Sequence, residues 1–343
     1  MKILMLGVYD INFYSRGRIF YKGLKSNSIN TSIYLPKGKL KYLKLIKRIL
    51  KRDFDKIIVT GKFVLITSWL TKPIHRKKII FDVFISDYEN LVLDRKKVKK
   101  NTIKAKLLKM GDKVSCLLSN HNILDTNEHI AYFCKEFKLK KSKFSKVYVG
   151  ADDEIFKPSK IPSNKEIEFH GTFIPLQGIE HIIRAAKELE KEKIKFKIIG
   201  EGDESKKIQK EAEKLNIKNI EFINKNVSLT ELAKEIQKSE ICLGVFGDSQ
   251  KAKNVIPNKA YEIIASKKPL ITSDTPGIRE VFEEKKNCLL CKPYDHIDLA
   301  KKITKLKNNK KLKDKISNNG YKLFKERFSI QKTGEALLKV INS

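Results

Sequence analysis

The chain has 343 residues, of which 41% are hydrophobic and 33% charged, and its formal net charge is +33. This length exceeds one ordinary hydrophobic core and predicts two domains. No apolar run reaches the roughly 18 residues of a membrane-spanning helix, which excludes that class of protein. Five cysteines predict reduced thiols and a cytoplasmic location, and not a disulfide framework.

Strand and helix patterns alternate through the first half. MKILMLGVYD is too short in its apolar part for a signal peptide and predicts a first strand. An amphipathic helix follows in SRGRIFYKGLKSN. Short apolar runs then predict further strands at SIYLP, KIIVTG, KKIIFDVF, VSCLLSN and KVYVG.

The second half repeats this alternation. Strands are predicted at IEFHG, KFKIIG, IEFIN, ICLGVF and PLITSD, with helical patterns between them. Such a sequence indicates βαβ units and parallel sheets. VGADDEIFKPSKIPSNKE has two prolines and no apolar period, so we place the domain boundary near Pro158–Asn164. The predicted domains are 1–160 and 161–343, an arrangement that allows the last helix to pack back on the first domain.

Two doubly wound sheets in one chain predict a central cleft between two Rossmann-like domains. Ligands bind such sheets beyond the carboxyl ends of the strands. The segments expected to carry ligand-binding residues are therefore Gly7–Arg18, Asp82–Arg95, Gly171–Gly178, Gly200–Asp203 and Gly244–Glu262.

Positive charge is concentrated in the first half, where residues 1–160 hold 36 Lys and Arg against 14 Asp and Glu. Residues 39–52, KLKYLKLIKRILKR, contain seven basic residues and no acid. One interpretation is an ordinary surface helix with a solvated charged face, in a chain enriched in lysine. The other is a helix that lies on an anionic membrane surface. Nucleic acid is a disfavoured partner, because no helix-turn-helix, zinc-ligand spacing or RNA-binding aromatic string is found.

The stretch KNVIPNKAYEIIA, residues 253–265, places Glu262 inside an apolar run. A buried charge needs a partner. Pro257 suits the first turn of a helix, whose free N–H groups and positive dipole end favour a diphosphate. Lys253 and Lys259 add full charges there. Two partners for Glu262 remain open: the hydroxyls of a nucleotide, or Lys259 at the helical i−3 position.

The second half resembles the family 4-type glycosyltransferases. The stretches that carry the resemblance are FHGTFIPLQGIEHIIRAAKEL, KFKIIGEGDESKKIQKEAEKL, IPNKAYEIIASKKPLITSDTPGIREVFEE and the joint VYVGADDEIFKP. In the first half YSRGRIFYKGL, IIFDVFISDYENLVLDR and LDTNEHIAYF are similar to one branch of the family. The resemblance implies a GT-B fold of two Rossmann-like domains facing a cleft. It also implies sugar transfer from a nucleotide sugar with retention of configuration, without a metal ion and without a bound cofactor.

The resemblance also implies which residues bind the donor. The family's matching glutamate accepts hydrogen bonds from the ribose hydroxyls, so Glu262 takes this role. Its second glutamate, eight positions earlier, is Asn254 here, and its phosphate-binding Arg and Lys are replaced by Thr172 and Gln177. Asn254 is expected to contact sugar hydroxyls, and Lys253 to stabilise the leaving diphosphate. The predicted donor-binding set is Gly171, Thr172, Gly200, Gly202, Lys253, Pro257, Asn258, Lys259 and Glu262.

The first domain is expected to bind the acceptor. Asp82 ends an apolar strand, where it could orient the acceptor hydroxyl as a third catalytic residue beside Lys253 and Asn254, or form a turn. The predicted acceptor-binding set is Arg16, Arg18, Asp94, Arg95, Asp125 and His129. The acceptor is expected to be a saccharide or lipid-linked saccharide, in envelope polysaccharide or glycan synthesis at the inner face of the membrane. Two rival hypotheses remain: a GT-B protein that binds nucleotide sugar without turnover, and a basic nucleic-acid binder.

Overall fold

The computed structural model describes residues 1–7, 14–83 and 85–343. Its chain divides into two units, one comprising Met1–Gly150 with Ile330–Ser343 (unit 1) and the other Ala151–Ser329 (unit 2). The segment 158–164, near which the boundary was expected, thus lies inside unit 2, and the joint crosses from unit 1 to unit 2 after Gly150. Residues 8–13, within the predicted ligand segment Gly7–Arg18, lie outside the described residues.

Unit 1 contains a parallel sheet whose buried strands are rich in isoleucine and valine, as in KIIVT. Near-continuous apolar strands are typical of parallel sheets with both faces covered. The strands are β1 (Lys2–Leu6), β2 (Asn30–Tyr34), β3 (Lys56–Thr60), β4 (Lys78–Asp82), β5 (His121–Leu124) and β6 (Phe144–Lys146). Their order in the sheet is β2-β1-β3-β4-β5-β6. The register aligns Thr60 with Asp82, and Asp82 with Ile123, at the carboxyl edge.

The first helices of the chain are α1 (Ser15–Ser26), α2 (Lys41–Leu50), α3 (Lys62–Leu70), α4 (Lys72–His75), α5 (Ile103–Leu118) and α6 (Asn127–Phe137). A π-helical turn spans Glu89–Asp94. The strand predicted at VSCLLSN is wrong, because residues 114–118 complete α5. A short apolar run fits a buried helix as well as a buried strand. The strand that does occur nearby, β5, was not predicted. KVYVG is also largely outside a strand, since β6 ends at Lys146.

Unit 2 contains a second parallel sheet. Its strands are β7 (Ile167–His170), β8 (Phe196–Ile199), β9 (Ile220–Ile223), β10 (Ile241–Leu243), β11 (Leu270–Ser273) and β12 (Leu289–Cys291). The sheet order β12-β11-β10-β7-β8-β9 is the strand order of dinucleotide-binding folds. The remaining helices are α7 (Ile179–Glu188), α8 (Ser205–Lys214), α9 (Leu229–Lys238), α10 (Gln250–Asn254), α11 (Asn258–Ala265), α12 (Pro276–Arg279), α13 (His296–Lys307), α14 (Lys310–Arg327) and α15 (Ile330–Asn342).

Helices cover both faces of the unit 1 sheet. On one face α15 returns to unit 1 and packs on α1, where Gly23 and Gly334 let the two backbones approach closely. On the other face α2, α3, α5 and α6 share one apolar core. Among the described helices, none has both the length and the apolar character to cross a bilayer.

The sheet orders fix where ligands are expected. Strand order reverses between β7 and β10 in unit 2, and between β1 and β3 in unit 1. In open α/β sheets the crevice beyond the carboxyl ends of the strands at such a point is the usual binding site. Glu262 belongs to the unit 2 edge, and Asp82 to the unit 1 edge.

Candidate functional site

Glu262 is buried at the carboxyl edge of the unit 2 sheet, 7% exposed, and its partner is a histidine. Its Oε2 lies 3.1 Å from Nε2 of His170, the last residue of β7. Nδ1 of His170 lies 2.8 Å from Oε1 of Glu168, which is fully buried on the same strand. Lys259, the alternative partner expected from i−3 spacing, forms no ion pair with Glu262 among the described residues. We call Glu168, His170 and Glu262 the unit 2 triad.

The two carboxylates set the protonation of the histidine. Burial disfavours the imidazolium, but Glu168 and Glu262 outweigh burial and raise the pKa of His170 to about 9. At neutral pH the ring therefore carries two N–H groups, one for each carboxylate. Sequence reasoning missed this histidine, although its place directly before Gly171 at a strand end was a usable signal.

Lys259 is buried beside the triad, with an amide oxygen and an aromatic ring as near neighbours. Its Nζ is 2.7 Å from Oε1 of Gln177 and 3.5 Å from the ring centroid of Phe169. The side chain is 4% exposed, and burial holds the pKa of the Lys259 ammonium well below its ordinary value, against the opposing pull of Glu168 and Glu262. Gly171 provides the room, because a Cβ there would lie 2.9 Å from Nζ.

The first turn of α11 has no side-chain cap. Pro257 is the N-cap residue, with φ −67° and ψ 145°, and the helix begins one residue later, at Asn258. The sequence predicted Pro257 within the first turn, so the start differs by one position. Because the first N–H groups of a helix lack intrahelical acceptors and lie at the positive end of its dipole, this terminus suits an anion.

The two residues predicted to act on the sugar and the leaving group lie at the end of α10. Lys253 is exposed, and the structure shows no ion pair for it within the described residues. Asn254 is buried, and its Oδ1 accepts a hydrogen bond from Nε2 of Gln250 at 2.9 Å. A small apolar cluster that includes Ala252 and Leu176 packs α10 against the turn Pro175–Gln177.

The glycines predicted to bind the donor let two loops approach each other. Gly200 has φ +137°, and a Cβ on it would lie 2.1 Å from the carbonyl oxygen of Gly171. A Cβ on Gly202 would similarly meet the backbone of Phe173. Thr172, between these contacts, is exposed. The loops after β7 and β8 are therefore held together as one surface.

In unit 1 the structure brings Arg16 and Asp82 together in a fully buried ion pair. Arg16 Nε donates to Asp82 Oδ1 at 2.7 Å, and Nη1 donates to the carbonyl of Val147 at 2.9 Å. The hydroxyl of Tyr14 donates to Asp82 Oδ2 at 3.3 Å. Burial raises the pKa of Asp82 despite the neighbouring guanidinium. Tyr14 was not among the predicted site residues.

Asp125 and His129, both predicted, form a second buried group with Glu89, which was not predicted. His129 Nδ1 lies 2.7 Å from Asp125 Oδ1, and Nε2 lies 3.1 Å from Glu89 Oε2. Burial disfavours the imidazolium, yet Glu89 and Asp125 raise the pKa of His129 to about 9. We call Glu89, Asp125 and His129 the unit 1 triad.

The other predicted acceptor residues occupy buried or partly buried positions. Arg18 is buried on α1, and Asp94 is buried at the end of the π-helical turn, followed by the half-buried Arg95. A cavity of about 250 Å³ opens at the carboxyl ends of β3 and β4. Its lining residues are Tyr14, Thr60, Gly61, Lys62, Phe63, Phe81, Asp82, Val83, Ile85 and Asp87.

Comparison with known protein families gives a match to glycosyl transferases group 1 over residues 151–323, half of the chain. The chain belongs to this family. A curated relative, the uncharacterized glycosyltransferase MJ1178 of Methanocaldococcus jannaschii, is 30% identical over 179 residues, which are 50% of this chain and 46% of that protein. The alignment therefore spans about half the length of this relative. The region that the family model matches, residues 151–323, lies within unit 2 and contains Lys259 and Glu262.

Solved structures of two proteins resemble the whole chain. HepE of Anabaena in complex with UDP-glucose has a TM-score of 0.76 and 13% identity, covering 100% of this chain and 99% of that one. Sucrose-phosphate synthase of Thermosynechococcus elongatus has a TM-score of 0.78 and 14% identity, covering 100% and 98%. At this identity the likeness shows the fold, which is GT-B: two Rossmann-like units with parallel sheets.

Proposed function

We propose that the protein transfers a sugar from a nucleoside diphosphate sugar to a saccharide or lipid-linked acceptor. The observation that carries this proposal is the buried Glu262 carboxylate in the first turns of a helix whose N-terminus is uncapped, beside a buried lysine. A carboxylate accepts both hydroxyls of a ribose, and the helix terminus accepts a diphosphate. Membership of the group 1 family supports the same reaction class.

Lys259 and Lys253 would neutralise the diphosphate together with the helix terminus. The amide oxygen that faces Lys259 Nζ, Oε1 of Gln177, is neutral, so a diphosphate would supply the negative charge that this lysine lacks. Binding would then raise the pKa of Lys259 and fix its charge. Because two lysines and a helix terminus could balance the charge of the leaving diphosphate, we infer that transfer needs no metal ion and persists in the presence of a chelator.

The acceptor would bind unit 1, in the cavity that Asp82 and Tyr14 line. The acceptor hydroxyl oxygen forms a bond to the anomeric carbon, and the bond from that carbon to the diphosphate oxygen breaks. The diphosphate leaves with the electron pair and takes the proton of the attacking hydroxyl. Attack from the face that the diphosphate leaves gives retention of configuration, and Asn254 would contact the sugar hydroxyls. A polymer of the cell envelope or a glycan is the product class we favour.

A second candidate is donor binding without turnover. It is favoured by Asn254, which replaces a carboxylate of the resembled family with a neutral amide, and by the neutral pair Thr172 and Gln177. Both candidate functions require a nucleotide site at α11, and they differ only in whether the bound sugar is transferred. Release of the nucleoside diphosphate on incubation with donor and acceptor distinguishes them.

The first experiment measures thermal stabilisation by UDP-, GDP-, ADP- and dTDP-sugars. Because HepE was solved with UDP-glucose, UDP-sugars are tried first. A ligand at 100 times its Kd stabilises a protein by about 2.7 kcal/mol. We expect one nucleotide class to stabilise the wild type and Glu213→Ala, an exposed control on α8, but not Glu262→Ala. No shift with any nucleotide in folded protein would refute the donor site.

A further inference from the structure

Unit 1 exposes far more apolar surface than unit 2. Of 19 large hydrophobic side chains exposed among the described residues, 16 belong to unit 1. Fourteen of these come from α2 with its N-cap residue, α3, α4 and α5. They are Leu40, Tyr42, Leu43, Leu50, Phe63, Ile66, Trp69, Leu70, Ile74, Ile103, Leu107, Met110, Val114 and Leu117. We call these residues the apolar face.

The apolar face is one surface and not a scatter of side chains. α2 contacts both α3 and α4, and α3 contacts α5. The rings of Tyr42 and Phe63 connect α2 to α3, with centroids 6.3 Å apart. Single exposed apolar residues are normal on soluble proteins, whereas large contiguous patches mark interaction sites.

Two of the helices that form this face, α3 and α5, have two apolar sides. In α5, Ala105 and Cys116 are buried in the core over the sheet, while Ile103, Leu107 and Met110 point away from it. In α3, Val64 and Leu65 are buried, whereas Phe63 is 68% exposed and Leu70 is 64% exposed. Packing against the sheet explains the first side of each helix. The second side is exposed, so packing against the sheet does not explain it.

The charges around the apolar face are nearly all positive. Residues 39–52 hold seven basic side chains and no acid, and residues 62–78 hold five basic side chains and no acid. Residues 99–118 hold six basic side chains and one acid, Asp112, which is buried and paired with Lys62. Lysine stems lie along apolar surfaces while their ammonium groups reach anionic headgroups.

The combination of exposed apolar side chains and surrounding positive charges fits one kind of binding partner best. A second copy of the chain would place like charges against each other, because a two-fold interface joins a surface to itself. A purely electrostatic partner such as nucleic acid would leave the exposed leucines and isoleucines without a function. A bilayer with anionic lipids satisfies both features, since it accepts apolar side chains below a negatively charged surface.

We propose that the apolar face docks unit 1 on an anionic membrane, with its apolar side chains below the headgroups and the surrounding lysines among them. The surface is wider than the basic helix 39–52 that the sequence suggested, and α3 and α5 supply most of its apolar residues. Phe63 belongs both to this face and to the lining of the unit 1 cavity. Docking would therefore bring the mouth of that cavity to the bilayer, where a lipid-linked acceptor is found. The docking itself does not depend on the proposed reaction.

The single tryptophan of the chain makes the proposal directly testable, because Trp69 is 42% exposed within the apolar face. The probes are phosphatidylcholine vesicles with and without phosphatidylglycerol, carrying brominated acyl chains. We expect at least ten-fold stronger binding to the anionic vesicles, a blue shift of Trp69 emission, and quenching by the brominated chains. Binding without quenching would mean electrostatic adsorption only and would overturn the proposal.

A triple variant, Leu70→Ser with Ile103→Ser and Leu107→Ser, tests the apolar contribution while keeping every charge and Trp69. We expect it to bind anionic vesicles at least ten-fold more weakly. The matched control is Ile161→Ser with Ile297→Ser, which removes exposed apolar side chains from unit 2 and should bind as the wild type does. Equal binding by the triple variant would overturn the proposal. So would a wild-type dimer that the triple variant converts to a monomer, or binding to a short RNA in place of vesicles.

Discussion

Each unit holds a histidine between two carboxylates at the carboxyl edge of its sheet, and the two triads differ in access. In unit 1 His129 lies 2.7 and 3.1 Å from Asp125 and Glu89. In unit 2 His170 lies 2.8 and 3.1 Å from Glu168 and Glu262. Both histidines have a pKa raised to about 9. The two triads thus contain the same chemical groups, and they differ in how far their surroundings enclose them.

The unit 1 triad is enclosed, and the unit 2 triad is open at one end. Glu89 and His129 have no exposed surface, and Phe133 packs edge-on against the imidazole ring. Glu262, by contrast, retains some exposure and stands on a helix that begins without a cap. A carboxylate in that position can exchange its histidine for the hydroxyls of a ligand, whereas Glu89 cannot. We propose that the first triad stabilises the fold and that the second serves donor binding.

The largest effect is expected at the buried ion pair between Arg16 and Asp82 in unit 1. Arg16→Met leaves Asp82 buried without its guanidinium, and removing one partner of a buried pair costs about 3–5 kcal/mol. Urea unfolding measures this loss. The matched control is Arg48→Met, which breaks a partly exposed pair with Asp53 and should cost less than about 1 kcal/mol. Equal costs for both variants would mean that the Arg16 pair is open to solvent.

The next largest effect is expected on the pH dependence of the free energy of unfolding. A histidine whose pKa is higher in the folded state stabilises the protein below its unfolded pKa of about 6.5, and this stabilisation is lost as pH rises through about 9. The loss is roughly 3–4 kcal/mol at most for each histidine, since one pKa unit corresponds to about 1.4 kcal/mol. We expect Tm to fall between pH 6.5 and 9, and His129→Gln and His170→Gln each to flatten that fall. A wild-type slope retained in both variants would contradict this assignment.

A smaller effect is expected on the affinity for the donor, and this measurement distinguishes the two triads best. In the proposed function Glu262 accepts two ribose hydroxyls, and Glu262→Gln removes its charge. Hydrogen bonds to charged groups contribute about 1.5–3 kcal/mol. We therefore expect donor affinity, measured by calorimetry, to fall about ten-fold or more. Glu89→Gln makes the same chemical change in the enclosed triad and should leave the donor Kd unaltered while lowering the unfolding midpoint. Equal effects on Kd would remove the distinction between the triads.

The sequence predicted the elements that place these residues better than it predicted their contacts. Strand ends converge at one edge of a parallel sheet, so the sequence predicted from position along the chain that Asp82 lies at that edge, and it named Asp125 together with His129. The ion pair between Arg16 and Asp82 was not predicted. The pairing of His170 with Glu262 was not predicted either, because it joins β7 to α11 across 92 residues. Glu89 was missed because it lies in a π-helical turn that no periodic pattern predicts.

The outward apolar side of unit 1 was also beyond the sequence pattern. Periodicity finds apolar stripes on a helix but does not say which stripe faces the sheet. In residues 39–52 helical periodicity places Leu45 and Ile49, which are buried, on the same side as Leu43 and Leu50, which are exposed. In α5 two stripes merged into an apolar run that favoured a strand at VSCLLSN. Only the position of the sheet in the structure shows which apolar stripe of each helix is buried and which is exposed.

The smallest effect is expected at Lys253, the exposed counterpart of the buried Lys259. An exposed charge acts through solvent, where a single pair is worth less than about 1 kcal/mol and is screened by salt. Lys253→Ala should therefore weaken binding of a nucleoside diphosphate sugar about two- to five-fold at low ionic strength, and less at high salt. Lys251→Ala, two residues earlier on α10, is the matched control and should change the Kd less. A loss of ten-fold or more that persists at high salt would instead mean that Lys253 reaches the phosphates directly when the donor is bound.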